Sequence, residues 1–455
     1  MQRVRLALFL GVLLLADIHA ASAQMGFFGA SDAPEETVTM FPWRREKFLE
    51  PTLGLSLIER QLRFLSGIST DGLTRSFVFS LEGRIRTGIF GLYRPDVDQL
   101  YDVLRVVRFI RYRPPPDVKL HLRLGPLTRV KVGTGHLVNF YQSTTAWDAR
   151  RVGLEAALFL PFLQIAAFTD DVRFERLTGV SFQIRPLFAL LSAHPLLRQL
   201  ELGIHIAADK LFTQKAAERL VGYHVELRTN LLQPGSDFFF SPYLSFARYL
   251  QYGSGIGIGL LTGSPNLGDA VRFHAQLTLY YNSRDFIPGY FNSFYMVQNR
   301  LERIVDANTY FDTGELRPVG TLLHESRGGA DLLHEIRILF FDQFELWHQF
   351  KRHYGSQPLS EYHLRIFLYP RRQNRLRFFF IFHRAGLTSF FSIFSKLRNQ
   401  NTQALGISYR YRGNLWLTME TRYTYRETGR DTEEGKTYFV VQRRFEPRVS
   451  LRMRF

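Results

Sequence analysis

The chain contains no cysteine. That absence excludes a disulfide scaffold, thiolate zinc or iron–sulfur centres, a cysteine nucleophile and a lipid-bearing N-terminal cysteine. Long apolar runs are also missing. Beyond the first two dozen residues nothing approaches the roughly 20 apolar residues of a membrane-spanning helix. The best stretch, 157–168, carries Pro161 and Gln164, and 378–382 is fenced by Arg377 and His383. Tryptophan is scarce at 4, but 42 Phe and 21 Tyr raise aromatic content to 15% of 455 residues. Hydrophobic residues at 45% and charged residues at 22% exclude a disordered chain. A net charge of +17 is compatible with a nucleic-acid binder or with a membrane protein whose interior is polar.

The N-terminus separates these two. Arg3 and Arg5 precede an apolar run at 6–15, and Ala21-Ser22-Ala23 offers small residues before Gln24. This is the three-part form of a secretory signal peptide over 1–23. Export removes nucleic acid as a partner. An exported chain with no spanning helix enters a membrane only as a closed barrel, because lipid cannot satisfy the edge of an open sheet.

Period-two alternation dominates the rest of the chain. Val449, Leu451, Met453 and Phe455 share one strand face, and Arg448, Ser450, Arg452 and Arg454 share the other. Leu405, Ile407, Tyr409 and Tyr411 oppose Gly406, Ser408, Arg410 and Arg412, before a turn at Gly413-Asn414. The pattern returns at 76–86, 221–228, 271–282 and 415–426, with similar runs at 151–160, 177–185, 198–206, 334–354, 360–369 and 375–383. A helix would spread these arginines round its circumference, whereas a strand confines them to one side.

In a soluble sandwich the apolar face points inward, and in a membrane barrel it points out to lipid while polar residues line the interior. Runs of ten to thirteen residues match the roughly 9–11 of a tilted crossing. Tyr409, Tyr411, Tyr423, Tyr425 and Tyr438 stand at strand ends, where interfacial girdles would fall. With its leader, its alternation and a terminal strand ending on Phe455, the chain resembles the Gram-negative outer-membrane β-barrel proteins. The resemblance implies an all-β, transmembrane antiparallel up-and-down β-barrel in the cell outer membrane, in contact with outer-membrane lipid. It also implies that Leu451, Met453 and Phe455 form the signal read by the barrel-assembly machinery. A looser likeness to uncharacterised barrels of the Bacteroidota type runs through 122–127, 132–137 and 151–154 and names no activity.

At roughly 20–25 residues per strand and its share of loop, the length predicts about 18–20 strands. The expected organisation is a signal peptide at 1–23, a periplasmic or plugging segment at 24–50, and the barrel at 51–455. Two stretches depart from the strand pattern. Val97, Leu100, Leu104 and Val107 share a helical face over 96–111, with Asp96 as cap and Pro114-Pro115-Pro116 as stop, which predicts one helical insertion. The connection at 286–329, with Pro288, Gly289 and Asn292, reads as a long extracellular loop and as the lid or constriction.

No catalytic, metal or cofactor site is legible. His324-Glu325 and His334-Glu335 are each half of a zinc motif, but Ile338 stands where a second histidine is needed after His334. There is no G-x-S-x-G elbow. Asp170-Asp171 reads as a turn, and the glycine-rich run 253–259 as strands in close approach. One constellation carries a mechanism. Arg84, Arg86, Arg228, Arg272, Arg337, Arg365, Arg410, Arg412, Arg422 and Arg426 fall on the inferred lumen face. Fixed positive charge in a narrow lumen favours anions, unless Glu82, Glu226, Glu335, Glu361 and Glu420 pair with it. The expected function is a non-enzymatic outer-membrane channel for small solutes, with an anion preference. A barrel anchoring an envelope export or assembly partner, and a lipid-modifying barrel, stand as alternatives. Oligomeric state is not legible in the pattern.

Overall fold

The computed structural model describes residues 47–454 apart from 75, 113–119, 161, 189–194, 210–218, 233–237, 268–269, 299–320, 342, 356, 369–374, 395–400 and 431–436. The expected leader at 1–23, residues 24–46, Pro114-Pro115-Pro116 and Phe455 therefore lie outside the described residues.

Twenty antiparallel strands close into one barrel. They are β1 (Phe48–Ile58), β2 (Gln61–Leu73), β3 (Phe77–Gly88), β4 (Val107–Tyr112), β5 (Leu120–Gly125), β6 (Gly153–Phe159) and β7 (Leu163–Thr169). Then follow β8 (Thr178–Ile184), β9 (Glu201–Asp209), β10 (Leu220–Arg228), β11 (Phe239–Tyr249), β12 (Ser254–Leu267) and β13 (Val271–Asn282). The last are β14 (Gly329–Phe340), β15 (Phe344–His353), β16 (Ser360–Leu368), β17 (Leu376–Leu387), β18 (Asn401–Arg412), β19 (Leu415–Arg430) and β20 (Thr437–Leu451), with Met453–Arg454 continuing beyond it. Each strand pairs with its neighbours in sequence, and β1 returns to β20, where Thr52 faces Ser450 and Leu57 faces Phe445. Closure leaves no edge, so the ladders satisfy the wall's backbone groups without water. Among the described residues no helix is long and apolar enough to cross a membrane.

The faces sort as a membrane barrel requires. Leu53 and Phe64 are each 69% exposed and Ile258 is 56% exposed on the outside, with Leu277, Met419, Val449 and Leu451. Inward, Ser56, Arg86, Glu226, Gln276, Glu335, Gln442 and Arg444 are buried. The tight turn at 413–414 shares one end of the barrel with both ends of the described chain, and the chain leaves the wall after β5 and after β13 at the other end. In outer-membrane barrels short turns face the periplasm and long loops the exterior.

The structure departs from the sequence reading in four places. Phe48, Leu49 and Glu50 belong to β1 rather than to a segment preceding the barrel. The helical stretch at 96–111 shrinks to a 3-10 turn at Arg94–Asp96 and a helix at Tyr101–Arg105, because Val107 and Phe109 join the wall in β4. Asp96 does not cap that helix but accepts the Arg86 amide at 2.9 Å. Tyr409 and Tyr411 are exposed at the turn end, but Tyr423 and Tyr425 are buried, since Tyr425 donates its amide to the Thr145 carbonyl at 3.1 Å and is covered by Ala146. Finally, β4–β8 are only 6 to 7 residues long. Gly125 and Gly153 face each other across β5 and β6, and between them residues 126–152 leave the wall for the interior. A Cβ on Gly125 would lie 2.5 Å from the Arg108 carbonyl oxygen, and one on Gly153 2.3 Å from that of Thr169.

Ile258→Arg places a guanidinium on the lipid face near mid-strand. It is expected to cost about 2–4 kcal/mol in the unfolding free energy measured in lipid vesicles. Parental stability would contradict the outward assignment.

Candidate functional site: the filled lumen

Residues 126–152 fold into the barrel as a plug. Leu127, Val130, Val132, Leu137, Val138 and Tyr141 are buried against Phe168, Leu177, Ala207, Leu220, Ala247 and Tyr249 of the wall and its connections. The start of the connection after β13 joins them, with Phe286, Ile287, Tyr290, Phe291 and Tyr295 in the same cluster. The first part of the segment expected to act as a lid, 286–298, thus lies inside the barrel, whereas His324, Glu325 and Arg327 near its end are exposed. Apolar residues form a core here because two segments meet within the cylinder.

Polar contacts fix the plug in register around the wall. Arg129 Nη1 lies 3.2 Å from Glu345 Oε1 of β15, and Lys131 Nζ 2.6 Å from Glu335 Oε2 of β14. The Thr134 amide donates to Glu226 Oε2 of β10 at 2.8 Å, and His136 Nδ1 sits 3.0 Å from Ser245 Oγ of β11. Asn139 Nδ2 donates to Gln349 Oε1 at 3.1 Å, and the Tyr141 hydroxyl to Asp170 Oδ2 at 2.6 Å. On the second segment, Asn292 Nδ2 donates to Glu361 Oε1 at 2.7 Å, and Lys351 Nζ donates to both that oxygen and the Pro288 carbonyl. Burying these charges is costly, and the pairing recovers it only while both partners are present.

Two features show how closely the plug is shaped to the wall. Phe140 has φ +57°, a conformation that costs a bulky residue of order 1–3 kcal/mol. Its ring stacks on His363 with centroids 4.6 Å apart and meets Trp347 edge-on at 4.8 Å, contacts that hold the strained backbone. In the glycine run of β12, a Cβ on Gly257 would lie 2.9 Å from Tyr280, and one on Gly255 2.7 Å from Phe286. That strand therefore stays bare so that aromatic rings can lie over it.

At its far end the plug is held by Asp148, whose carboxylate accepts from Arg444 Nη2 at 2.6 Å, the Tyr93 hydroxyl at 2.7 Å and Gln442 Nε2 at 2.9 Å. Burial alone would push this carboxyl up, but Arg444, Arg86 and the Tyr93 hydroxyl outweigh it and hold it well below the usual carboxylate range. Burial drives the His136 imidazole down to about 3, so it docks as a neutral ring.

The arginines expected to line the lumen do not form one positive ring. Arg84 pairs with Glu82 and lies 3.2 Å from Glu446, and Arg86 is 2.8 Å from Glu446 and also pairs with Asp96. Arg228 pairs with Glu201, Arg337 with Glu345 at 2.7 Å, Arg422 with Glu420, and Arg426 with Glu59 at 3.3 Å. Arg365 is buried and donates to the Thr128 carbonyl at 3.3 Å. Arg272 is half-buried opposite Leu339. Arg410 and the exposed Arg412 stand at the turn-end rim, beside the hairpin to β19. Of the acids, Glu82 and Glu420 pair with arginines as expected, whereas Glu335 and Glu361 take lysines instead. Leu451 and Met453 are exposed on the outer face.

Below the plug a recess of about 840 Å³, counting its open mouth, faces the turn end. Glu50, Asp71, Glu82 and Glu420 line it together with Arg108, Arg377, Arg448 and Arg452, so its charges balance.

Sequence reasoning found no metal-ligand set, yet His205, His224 and Glu226 come together on the wall. The signal was present in the alternation. His224 and Glu226 are two apart on one face, and hairpin register sets His205 directly opposite His224.

No known family matches the chain, and no curated protein does. Among solved structures it is similar to CdiB from Acinetobacter baumannii, at 8% identity and TM-score 0.24, over 89% of this chain; it spans only 60% of CdiB. It is similar to OccK2 (OpdF) from Pseudomonas aeruginosa at 10% identity and TM-score 0.31, covering 90% of this chain and 96% of that one. For OprD of the same organism the figures are 9%, 0.29, 90% and 95%. Likeness at this level adds nothing to the chain's own geometry. That geometry, an edge-free cylinder with a greasy exterior and a polar interior, defines a transmembrane β-barrel.

Glu335→Ala leaves the Lys131 ammonium buried without its carboxylate and is expected to weaken plug docking by about 3–5 kcal/mol. Limited proteolysis should then cut within 129–141 of a barrel that still shows heat-modifiable migration; unchanged protection would contradict the pairing. A carboxyl held down in the folded state contributes stability above its ordinary value of about 3.9, and that contribution is lost as pH falls further. Plug protection should therefore persist from neutrality to about pH 4 and fade only below it, and Asp148→Asn should make the acid step smaller.

Proposed function

We propose that the protein is a gated, non-enzymatic outer-membrane channel for small solutes, with residues 126–152 as the gate. One observation carries this reading: the lumen is occupied by a connecting segment tethered at Gly125 and Gly153, not by the wall's own side chains. A barrel of 20 strands is wider than its inward side chains fill. A segment held by discrete polar contacts and a strained Phe140 can leave as a unit, opening onto the recess beneath. Anion preference rests on Arg410 and Arg412, two cations beside the hairpin at the turn-end rim. The filled lumen also favours a second reading, in which the barrel anchors an envelope partner and passes nothing.

Planar-bilayer recordings decide between these. Replacing 129–141 with a short Gly-Ser linker should raise single-channel conductance several-fold over the parent, while an unchanged, silent barrel would overturn the channel and favour the anchor. In a salt gradient, Arg410→Glu with Arg412→Glu should shift the reversal potential toward cations, and no shift would remove the anion preference.

A further inference from the structure

His205 on β9 and His224 and Glu226 on β10 face the lumen under the tip of the plug and are fully buried. At His205 and Glu226 one side-chain atom is engaged and the other is not. His205 Nδ1 lies 2.8 Å from Ser181 Oγ, and Glu226 Oε2 accepts the Thr134 amide at 2.8 Å. The remaining atoms, His205 Nε2 and Glu226 Oε1, have no hydrogen-bond partner and lie 3.5 Å apart. His224 Nε2 lies 3.5 Å from Glu226 Oε2 and 3.4 Å from Thr134 Oγ1, its Nδ1 has no hydrogen-bond partner, and one ligand atom from each of the three residues lies within 4.8 Å of the others. Buried polar atoms left bare demand an explanation.

The space between them is kept open by glycine. A Cβ on Gly203 would lie 2.7 Å from His205 Nε2, and one on Gly133, at the plug tip with φ +56°, 2.5 Å from the same atom and 2.9 Å from Glu226 Oε2. We propose that His205, His224 and Glu226 bind a divalent first-row transition-metal ion of the zinc class on the inner wall, beneath the plug tip. Two ligands about 2.1 Å from a tetrahedral ion stand about 3.4 Å apart. The His205–Glu226 separation of 3.5 Å already meets this, and a ligand atom of His224 lies within 4.8 Å of both. Two imidazoles and one carboxylate suit such an ion and not calcium or magnesium. Ser181 and the Thr134 amide act as the outer partners that orient ligands. Thr134 Oγ1, 3.4 Å from His224 Nε2, stands beside the open fourth position. Because Thr134 belongs to the plug, the ion ties the plug tip to β9 and β10. Arg228 Nη1, 3.9 Å from Glu226 Oε1, opposes the ion's charge but has its own partner in Glu201. The site is independent of whether the lumen conducts.

The test is titration of metal-free, detergent-solubilised full-length protein with Co²⁺, read by visible absorption, and with Zn²⁺, read by calorimetry. One equivalent should bind with a low-coordinate cobalt spectrum. Glu226→Gln, nearly isosteric, and His224→Ala should each abolish that equivalent while migrating as folded barrels. Ser181→Ala should weaken it about 10–100-fold, and His324→Ala, at an exposed histidine, should leave it intact. Absence of a stoichiometric equivalent in the parent, as an ordinary His205–Glu226 ion pair would give, overturns the proposal. So does binding that survives Glu226→Gln or falls with His324→Ala.

Discussion

The ladder that joins β1 to β20 is the constraint on which everything else in this molecule depends. With Thr52 seated opposite Ser450 the sheet has no edge, and a surface bearing Leu53, Phe64 and Val449 can meet hydrocarbon without exposing a backbone amide. Closure also encloses a volume. Alternation that sends leucine outward must send Arg86, Glu226 and Arg444 inward, into a space where a charge without partner or water is costly. The barrel meets that demand by pairing its wall charges and by drawing 126–152 inside.

The plug is a second core built within the first structure. Its apolar cluster resembles that of a small soluble domain, and its rim of pairs, Lys131 to Glu335 and Arg129 to Glu345, sets its position. Buried pairs add little net stability over apolar packing, but each is destabilising once halved. Such a docking is specific and cooperative in its loss, which suits a gate. The strained Phe140 backbone adds to the closed state an energy that release would recover.

The same wall shows why some of the site could be read in advance and some could not. Arginines at 84, 86, 422 and 452 are inward because their neighbours alternate, which one strand reveals by itself. Whether they act as free positive charge depends on Glu446, which reaches Arg84 and Arg86 across the ring closure, on Glu420 beside Arg422, and on Glu50, which holds Arg452. Tyr425 followed the outward period but is buried, since its fate was decided by Ala146 from a distant loop. The weak family likeness at 122–127, 132–137 and 151–154 coincides with the plug and its exits, though no local pattern announced that these residues turn inward.

Period-two patterning, the scarcity of apolar runs and the chain length were enough to determine an antiparallel barrel of about 18–20 strands with greasy outside and charged inside, because side-chain direction along a strand is a local property. The filling of the lumen, the neutralising of its arginines and the meeting of His205, His224 and Glu226 were decided only by tertiary structure. Each depends on contacts between segments far apart in the chain, and these exist only once the ring has closed around them.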